Sequence, residues 1–190
     1  MIRLLTQTPD TWVEIVLSNF NTFLNDHAAA EKKASGMAMS MALHFRDRER
    51  LVTEMIDLSI EELTHFRECV KLLHDRGLNL LADEKDEYVN QIRTQIRTTR
   101  EEGFLDRLLT GGIIEARGVE RFGMLAKALP EGDLKSFYEA ITRSEERHNG
   151  LFLDLAREYF PDQEVQNRLQ ELLEFEAELV EQLPIRPFLH

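Results

Sequence analysis

At 190 residues the chain has the length of one domain, 1–190, with a single large core. Hydrophobic residues at 43% and charged residues at 31% give the balance of an ordinary globular protein, and only 9 Gly and 5 Pro speak against a turn-rich β architecture. A net charge of −12 argues against an extended nucleic-acid footprint, and the single cysteine, Cys69, excludes an internal disulfide or a site built on several thiolates.

The opening residues, Met1 to Thr6, lack the apolar core of a signal peptide, and no apolar run reaches membrane-spanning length. A soluble cytoplasmic protein is expected. Helical periodicity then runs nearly end to end. Thr8-Pro9 offers a start, and Asp10 to about Phe45 reads as helix with a break near Ser18-Asn19. Phe20, Leu24, Glu31, Ala34, Ala38 and Met41 share one face of it. A second helix covers Asp47 to Arg76, with Met55, Leu58, Glu62, His65, Phe66, Cys69 and Leu73 along its seam and Gly77 as its stop.

A further helix is expected over Lys85 to Glu102, punctuated by Gly103. Phe104 to Leu129, ended by Pro130, carries Leu108, Glu115, Val119 and Phe122 on one face. Asp133 to Phe160 follows, with Ile141, Glu145, His148 and Phe152 facing inward and Pro161 closing it. Asp162 to Gln182 reads as an acidic helix and Pro184 to His190 as an extended tail.

One internal repeat stands out. Glu31 is followed 31 residues later by Glu62-Leu63-Thr64-His65, and Glu115 is followed 30 residues later by Glu145-Glu146-Arg147-His148. Glu and His at i and i+3 lie on one face of a helix, so each pair can direct two ligands at one place. Two lone glutamates and two Glu-x-x-His pairs facing into a four-helix bundle are the ligand set of a di-iron or di-manganese carboxylate centre. The 53 residues from Glu62 to Glu115 leave room for the long crossover of a ferritin-like bundle, with the extra helix inside it. The fold class expected is therefore all-α, a ferritin-like four-helix bundle with one long crossover and additional helices.

Carboxylate oxygen and imidazole nitrogen without thiolate suit Fe(II) or Mn(II). Glu31, Glu62, His65, Glu115, Glu145 and His148 are the expected metal ligands. Glu62 and Glu145 are placed as bridges, Glu31 and Glu115 as terminal ligands, with one histidine per ion. Four acids in a helical core without a metal would be costly, because an unpaired buried carboxylate is strongly disfavoured. Open positions on each ion would admit dioxygen.

Other residues read more plainly. Glu61, Glu120 and Glu146 point outward by phase and are taken as surface acids; Tyr138 is taken as core. His27 is read as an ordinary histidine, with a role beside Glu31 the alternative. Gly111, Gly112 and Gly118 bracket Glu115 in a helix, where each glycine costs roughly 1 kcal/mol, and are read as opening room for substrate. Arg93, Arg97, Arg100 and Arg107 align on one face if the crossover helix continues past Gly103. Phosphate contact and pairing with Glu87, Glu101 and Asp106 both account for that stripe. Lys32-Lys33 and Arg46, Arg48 and Arg50 add further basic positions.

Leu4, Thr8 and Trp12, the segment Asp26-His27-Ala28-Ala29-Ala30-Glu31-Lys32-Lys33-Ala34, and Gly112-Ile113-Ile114-Glu115-Ala116-Arg117 resemble the tRNA-modifying non-haem di-iron hydroxylases of the MiaE family. Glu61 to Phe66 and Ser144 to His148 extend the resemblance over essentially the whole chain. It implies oxygen-dependent hydroxylation of the isopentenyl group of 2-methylthio-isopentenyl-adenosine, next to the tRNA anticodon. It also implies two irons on the six ligands, dioxygen as co-substrate, the anticodon stem-loop as partner, and an external reductase or ferredoxin. The arginine stripe and the tail Ile185-Arg186-Pro187-Phe188 are then expected to meet the stem-loop. A monomer or small oligomer is expected, with no membrane partner. The alternative is a ferroxidase or iron-storage protein of the bacterioferritin kind, which shares the doubled Glu-x-x-His.

Overall fold

The computed structural model describes residues 1–190. Seven helices account for the ordered structure and no residue lies in a strand. They are α1 (Thr11–Ser18), α2 (Phe20–His44), α3 (Glu49–Asp75), α4 (Glu87–Arg93), α5 (Arg100–Ala128), α6 (Asp133–Tyr159) and α7 (Asp162–Gln182). No helix is long and apolar enough to cross a membrane. The chain divides into two compact units.

One unit, Glu14–Glu84 with Arg186–Leu189, is built on the α2–α3 hairpin. The break at Asn19 falls where the sequence places it, and the short connection over residues 45–48 makes α2 and α3 antiparallel neighbours. Phe23, Leu24, Ala28, Ala38 and Met41 of α2 are buried, as are Leu51, Met55, Leu58, Cys69 and Leu73 of α3. Ser35 Oγ bridges the two helices, 2.9 Å from Ser59 O and 2.8 Å from Ser59 Oγ. Gly77 ends α3 at φ +70, with Gly77 N donating to His74 O and Leu78 N to Leu73 O, both at 2.9 Å. That pair of bonds is a Schellman stop, which needs the left-handed conformation glycine adopts freely.

Lys32 and Lys33 are occupied in tying the following loop to α2. Lys32 Nζ lies 2.7 Å from Asp83, and Lys33 Nζ donates to Glu84 O at 3.0 Å. In the tail, Arg186 donates to Glu84 at 2.8 Å and its guanidinium lies 3.8 Å from the centre of the Phe188 ring. Leu189 N donates to Asp26 Oδ2 at 2.7 Å. The tail is thus engaged with its own unit.

The other unit comprises Met1–Val13, Lys85–Ile185 and His190. Here α5 and α6 pack closely. A Cβ on Gly111 would lie 3.0 Å from the Phe152 ring, and one on Gly112 would lie 2.6 Å from Ile2 Cδ1 and 3.2 Å from Phe152 Cβ. These glycines let α6 and the N-terminal segment approach α5, so the expected opening for substrate gives way to close packing. Tyr138 is fully buried 5.8 Å from the Phe122 ring, a core residue as expected. Tyr88, Ile92 and Leu179 form a smaller cluster between α4 and α7.

The crossover helix is shorter than expected. Instead of running from Lys85 to Glu102, α4 ends at Arg93, and a new helix begins at Arg100. Thr99 caps it: its Oγ1 accepts from Glu102 N at 3.4 Å and donates to Glu102 Oε2 at 2.6 Å. Gly103 lies inside α5 and does not punctuate it. A Cβ there would meet Arg97 O at 2.7 Å, so glycine admits the chain folding back over the helix start.

That break also dissolves the arginine stripe. Arg97 N donates to Asp106 Oδ2 at 2.8 Å, and its guanidinium gives Nε to Oδ2 and Nη2 to Oδ1, each at 2.9 Å. Arg168 of α7 adds Nε to Oδ1 at 2.8 Å. Arg93, Arg97, Arg100 and Arg107 therefore do not line one continuous helix, and Arg97 pairs internally.

Candidate metal centre

Each unit holds one Glu-Glu-His triad, and the two are built alike. On the α2–α3 hairpin, Glu31 comes from α2, while Glu62 and His65 come from α3 one turn apart. Each side chain offers an atom within 4.8 Å of the others. Glu62 is fully buried and Glu31 nearly so, while the His65 side chain retains 12% exposure. His65 Nδ1 lies 3.0 Å from Glu62 Oε2 and 3.7 Å from Glu31 Oε2.

The second triad joins Glu115 of α5 to Glu145 and His148 of α6, again with one atom of each within 4.8 Å of the others. All three are buried. His148 Nδ1 lies 3.0 Å from Glu145 Oε2, the same distance and the same ring nitrogen as in the first triad. The duplication in sequence is thus a duplication in geometry. It follows from helical periodicity, which brings i and i+3 together whatever the surrounding fold.

In the first triad burial and hydrogen bonding act in opposite directions. Burial opposes ionisation of Glu31, but hydrogen bonds from His27 and His65 outweigh it and hold the carboxyl well below its usual range. Burial likewise opposes charge on His65, yet Glu31 and Glu62 together push its pKa up to about 10. Two carboxylates and an imidazole nitrogen converging out of water are hard and borderline donors, which fit Fe(II) or Mn(II).

Three residues around these triads do more than sequence reasoning assigned. His27, read as an ordinary histidine, is fully buried with Nε2 2.6 Å from Glu31 Oε1. Arg117 is also fully buried; its Nε and Nη2 donate to Glu176 Oε1 at 2.9 and 2.7 Å, and Nη1 donates to Thr8 Oγ1 at 3.1 Å. Glu120, expected at the surface, is half-buried and accepts from Thr8 N at 3.0 Å and Thr8 Oγ1 at 2.6 Å. The His27–Glu31 spacing of four is visible in the sequence. The Arg117–Glu176 partnership, across 59 residues, has no local signal.

Comparison with known proteins adds the lineage. A solved structure described as Protein 43 with aldehyde deformylating oxygenase activity, from Synechococcus, matches this chain with a TM-score of 0.94 and 33% identity. The match covers 100% of this chain and 96% of that one, and the all-α, ferritin-like fold class expected from the sequence is the one found. A Pseudomonas putida protein named tRNA 2-(methylsulfanyl)-N(6)-isopentenyladenosine(37) hydroxylase is 32% identical over 174 residues, 92% of this chain and 84% of the relative. A Salmonella typhimurium protein of the same name is 32% identical over 155 residues, 82% of this chain and 56% of that longer relative. The family model described as tRNA-(MS[2]IO[6]A)-hydroxylase (MiaE) matches residues 1–190. With its whole length matched, the chain belongs to the MiaE family of tRNA hydroxylases.

Proposed function

We propose that this chain hydroxylates the isopentenyl group of 2-(methylsulfanyl)-N6-isopentenyladenosine in tRNA, beside the anticodon, at one centre of two irons. Glu31, Glu62, His65, Glu115, Glu145 and His148 would hold the ions, three residues from each unit. The observation that carries this reading is the duplicated buried Glu-Glu-His triad in a chain matched end to end by a tRNA hydroxylase family.

Charge supports the pairing of triads. Four carboxylates offset the four positive charges of two ferrous ions, while two neutral imidazoles complete the set. A carboxylate confined out of water is unfavourable by several kcal/mol unless matched by opposite charge. Glu62 and Glu145, each one turn from a histidine of its own helix, would hold the ions together with Glu31 and Glu115.

When bound, a ferrous pair would supply dioxygen activation for hydroxylation of the allylic carbon. The balance is one C–H and O2, with two electrons and two protons, giving C–OH and water. The electrons come from an external donor such as a reductase or ferredoxin. The chain's own residues hold the donor atoms and keep water from the reacting carbon, consistent with the burial of all four carboxylates. A modified base carried in a single-stranded loop can be splayed out and engaged locally. Such recognition needs few cationic contacts and is compatible with the net charge of −12.

Mass spectrometry of tRNA nucleosides from a strain lacking this chain tests the reading. Loss of the hydroxylated nucleoside with accumulation of its isopentenyl precursor is expected; an unaltered nucleoside profile contradicts it.

A further inference from the structure

His27 sits on α2 one turn before Glu31, and its ring is fully buried. Its Nε2 lies 2.6 Å from Glu31 Oε1. The same ring meets Cys69 of α3, whose Sγ lies 3.4 Å from Nδ1 and 3.7 Å from Nε2. The Phe23 ring, one turn earlier on α2, has its centroid 6.0 Å from that of the His27 ring.

The hydrogen-bond chemistry gives this chain of groups a direction. An ionised carboxylate only accepts, so the short contact to Glu31 places a proton on His27 Nε2. The other ring nitrogen, Nδ1, faces the fully buried Cys69 thiol. The contacts run from Cys69 Sγ through the His27 ring to Glu31 Oε1, with the ring donating Nε2–H to the carboxylate. Helical spacing fixes the second link, since i and i+4 share a face. The α2–α3 packing fixes the first.

We infer that His27, packed against Cys69, is a positioning residue for Glu31. Glu31 Oε1 is committed to His27. The other oxygen, Oε2, lies 3.7 Å from His65 Nδ1. Glu31 would then serve a metal ion in a rotamer held by His27. Outer partners of this kind commonly contribute ten- to a hundredfold to metal affinity. The inference rests on the metal-centre reading above.

Anaerobic ferrous titration, with Mössbauer spectra of the loaded protein, separates the two. Wild type is expected to take up two ferrous ions. His27→Phe keeps the ring volume and removes the donor; one ion should then bind about 10- to 100-fold more weakly, with an altered quadrupole splitting for that ion alone. His27→Gln restores an N–H at the position of Nε2 and should recover most of the affinity. If His27→Phe fails to fold by circular dichroism, His27→Met, also without a donor, makes the same comparison. Folded donorless variants that bind both ions with wild-type affinity and spectrum would overturn the inference while leaving the metal centre intact. So would a His27→Gln variant that binds as weakly as His27→Phe. A wild-type protein that binds no iron pair would overturn the metal-centre reading and this inference with it.

Discussion

Arg97 closes on Asp106 with its backbone N–H at 2.8 Å and two guanidinium nitrogens at 2.9 Å, turning the chain between α4 and α5 around one fully buried carboxylate. Arg168 donates to the same group from α7. Burial works against the Asp106 charge, but the bonds from Arg97 and Arg168 prevail and hold its pKa below 3.8. A depressed carboxyl contributes stability that is fully present above 3.8 and is lost as pH falls through the folded-state value. Asp106→Asn should lower stability by about 3 kcal/mol near neutral pH, measured by urea unfolding. The gap between wild type and variant should narrow on acidification below 3.8. A gap independent of pH would contradict this role for the charge.

Arg117 and Glu176 are both fully buried and bonded through two guanidinium nitrogens, with Tyr88 Oη donating to the same Glu176 oxygen at 2.9 Å. Arg117→Met leaves Glu176 charged in the core and should destabilise by about 3–5 kcal/mol. Adding Glu176→Met should recover part of that loss, because the stranded charge is removed with its partner. Thermal unfolding of the single and double variants reads this directly. A double variant less stable than Arg117→Met would contradict it.

Gly103→Ala tests the fold-back at the start of α5. Alanine is better than glycine inside a helix by about 1 kcal/mol. Here its Cβ would meet the Arg97 carbonyl at 2.7 Å, and a backbone oxygen cannot swing aside. The variant should be less stable by about 1–3 kcal/mol in urea unfolding. A stabilised variant would show that the approach is not tight.

Iron itself should act as a folding ligand. At a free ferrous concentration a hundredfold above Kd, binding should stabilise the chain by about 2.7 kcal/mol per site. The matching rise in unfolding temperature should be reduced or lost in Glu115→Ala. An equal rise in both proteins would remove Glu115 from the ligand set.

How much of the fold and the site is legible in the sequence follows the range of each interaction. Glu62 and His65, or Glu145 and His148, are one helical turn apart, and periodicity alone predicts that they share a face. The stops at Asn19, Gly77, Pro130 and Pro161 are readable for the same reason. The break between Arg93 and Arg100 is harder to see, although Thr99 with Glu102 three residues on is a helix-start signal. Helical propensity alone continues across it, whereas Arg97 in the break pairs with a carboxylate nine residues away. Gly111 and Gly112 read as space beside a site, since the Phe152 ring that fills it belongs to another helix. His27 reads as an ordinary histidine, because a position four residues before a glutamate suits a bystander as well as a partner until burial distinguishes them.

Everything proposed for the site requires that both triads serve one pair of ions. Ferrous loading without oxygen, followed by iron analysis and Mössbauer spectroscopy in an applied magnetic field, tests this most directly. Two ferrous ions per chain, magnetically coupled to each other, are predicted. One ion per chain, or two that behave as isolated centres, would contradict it.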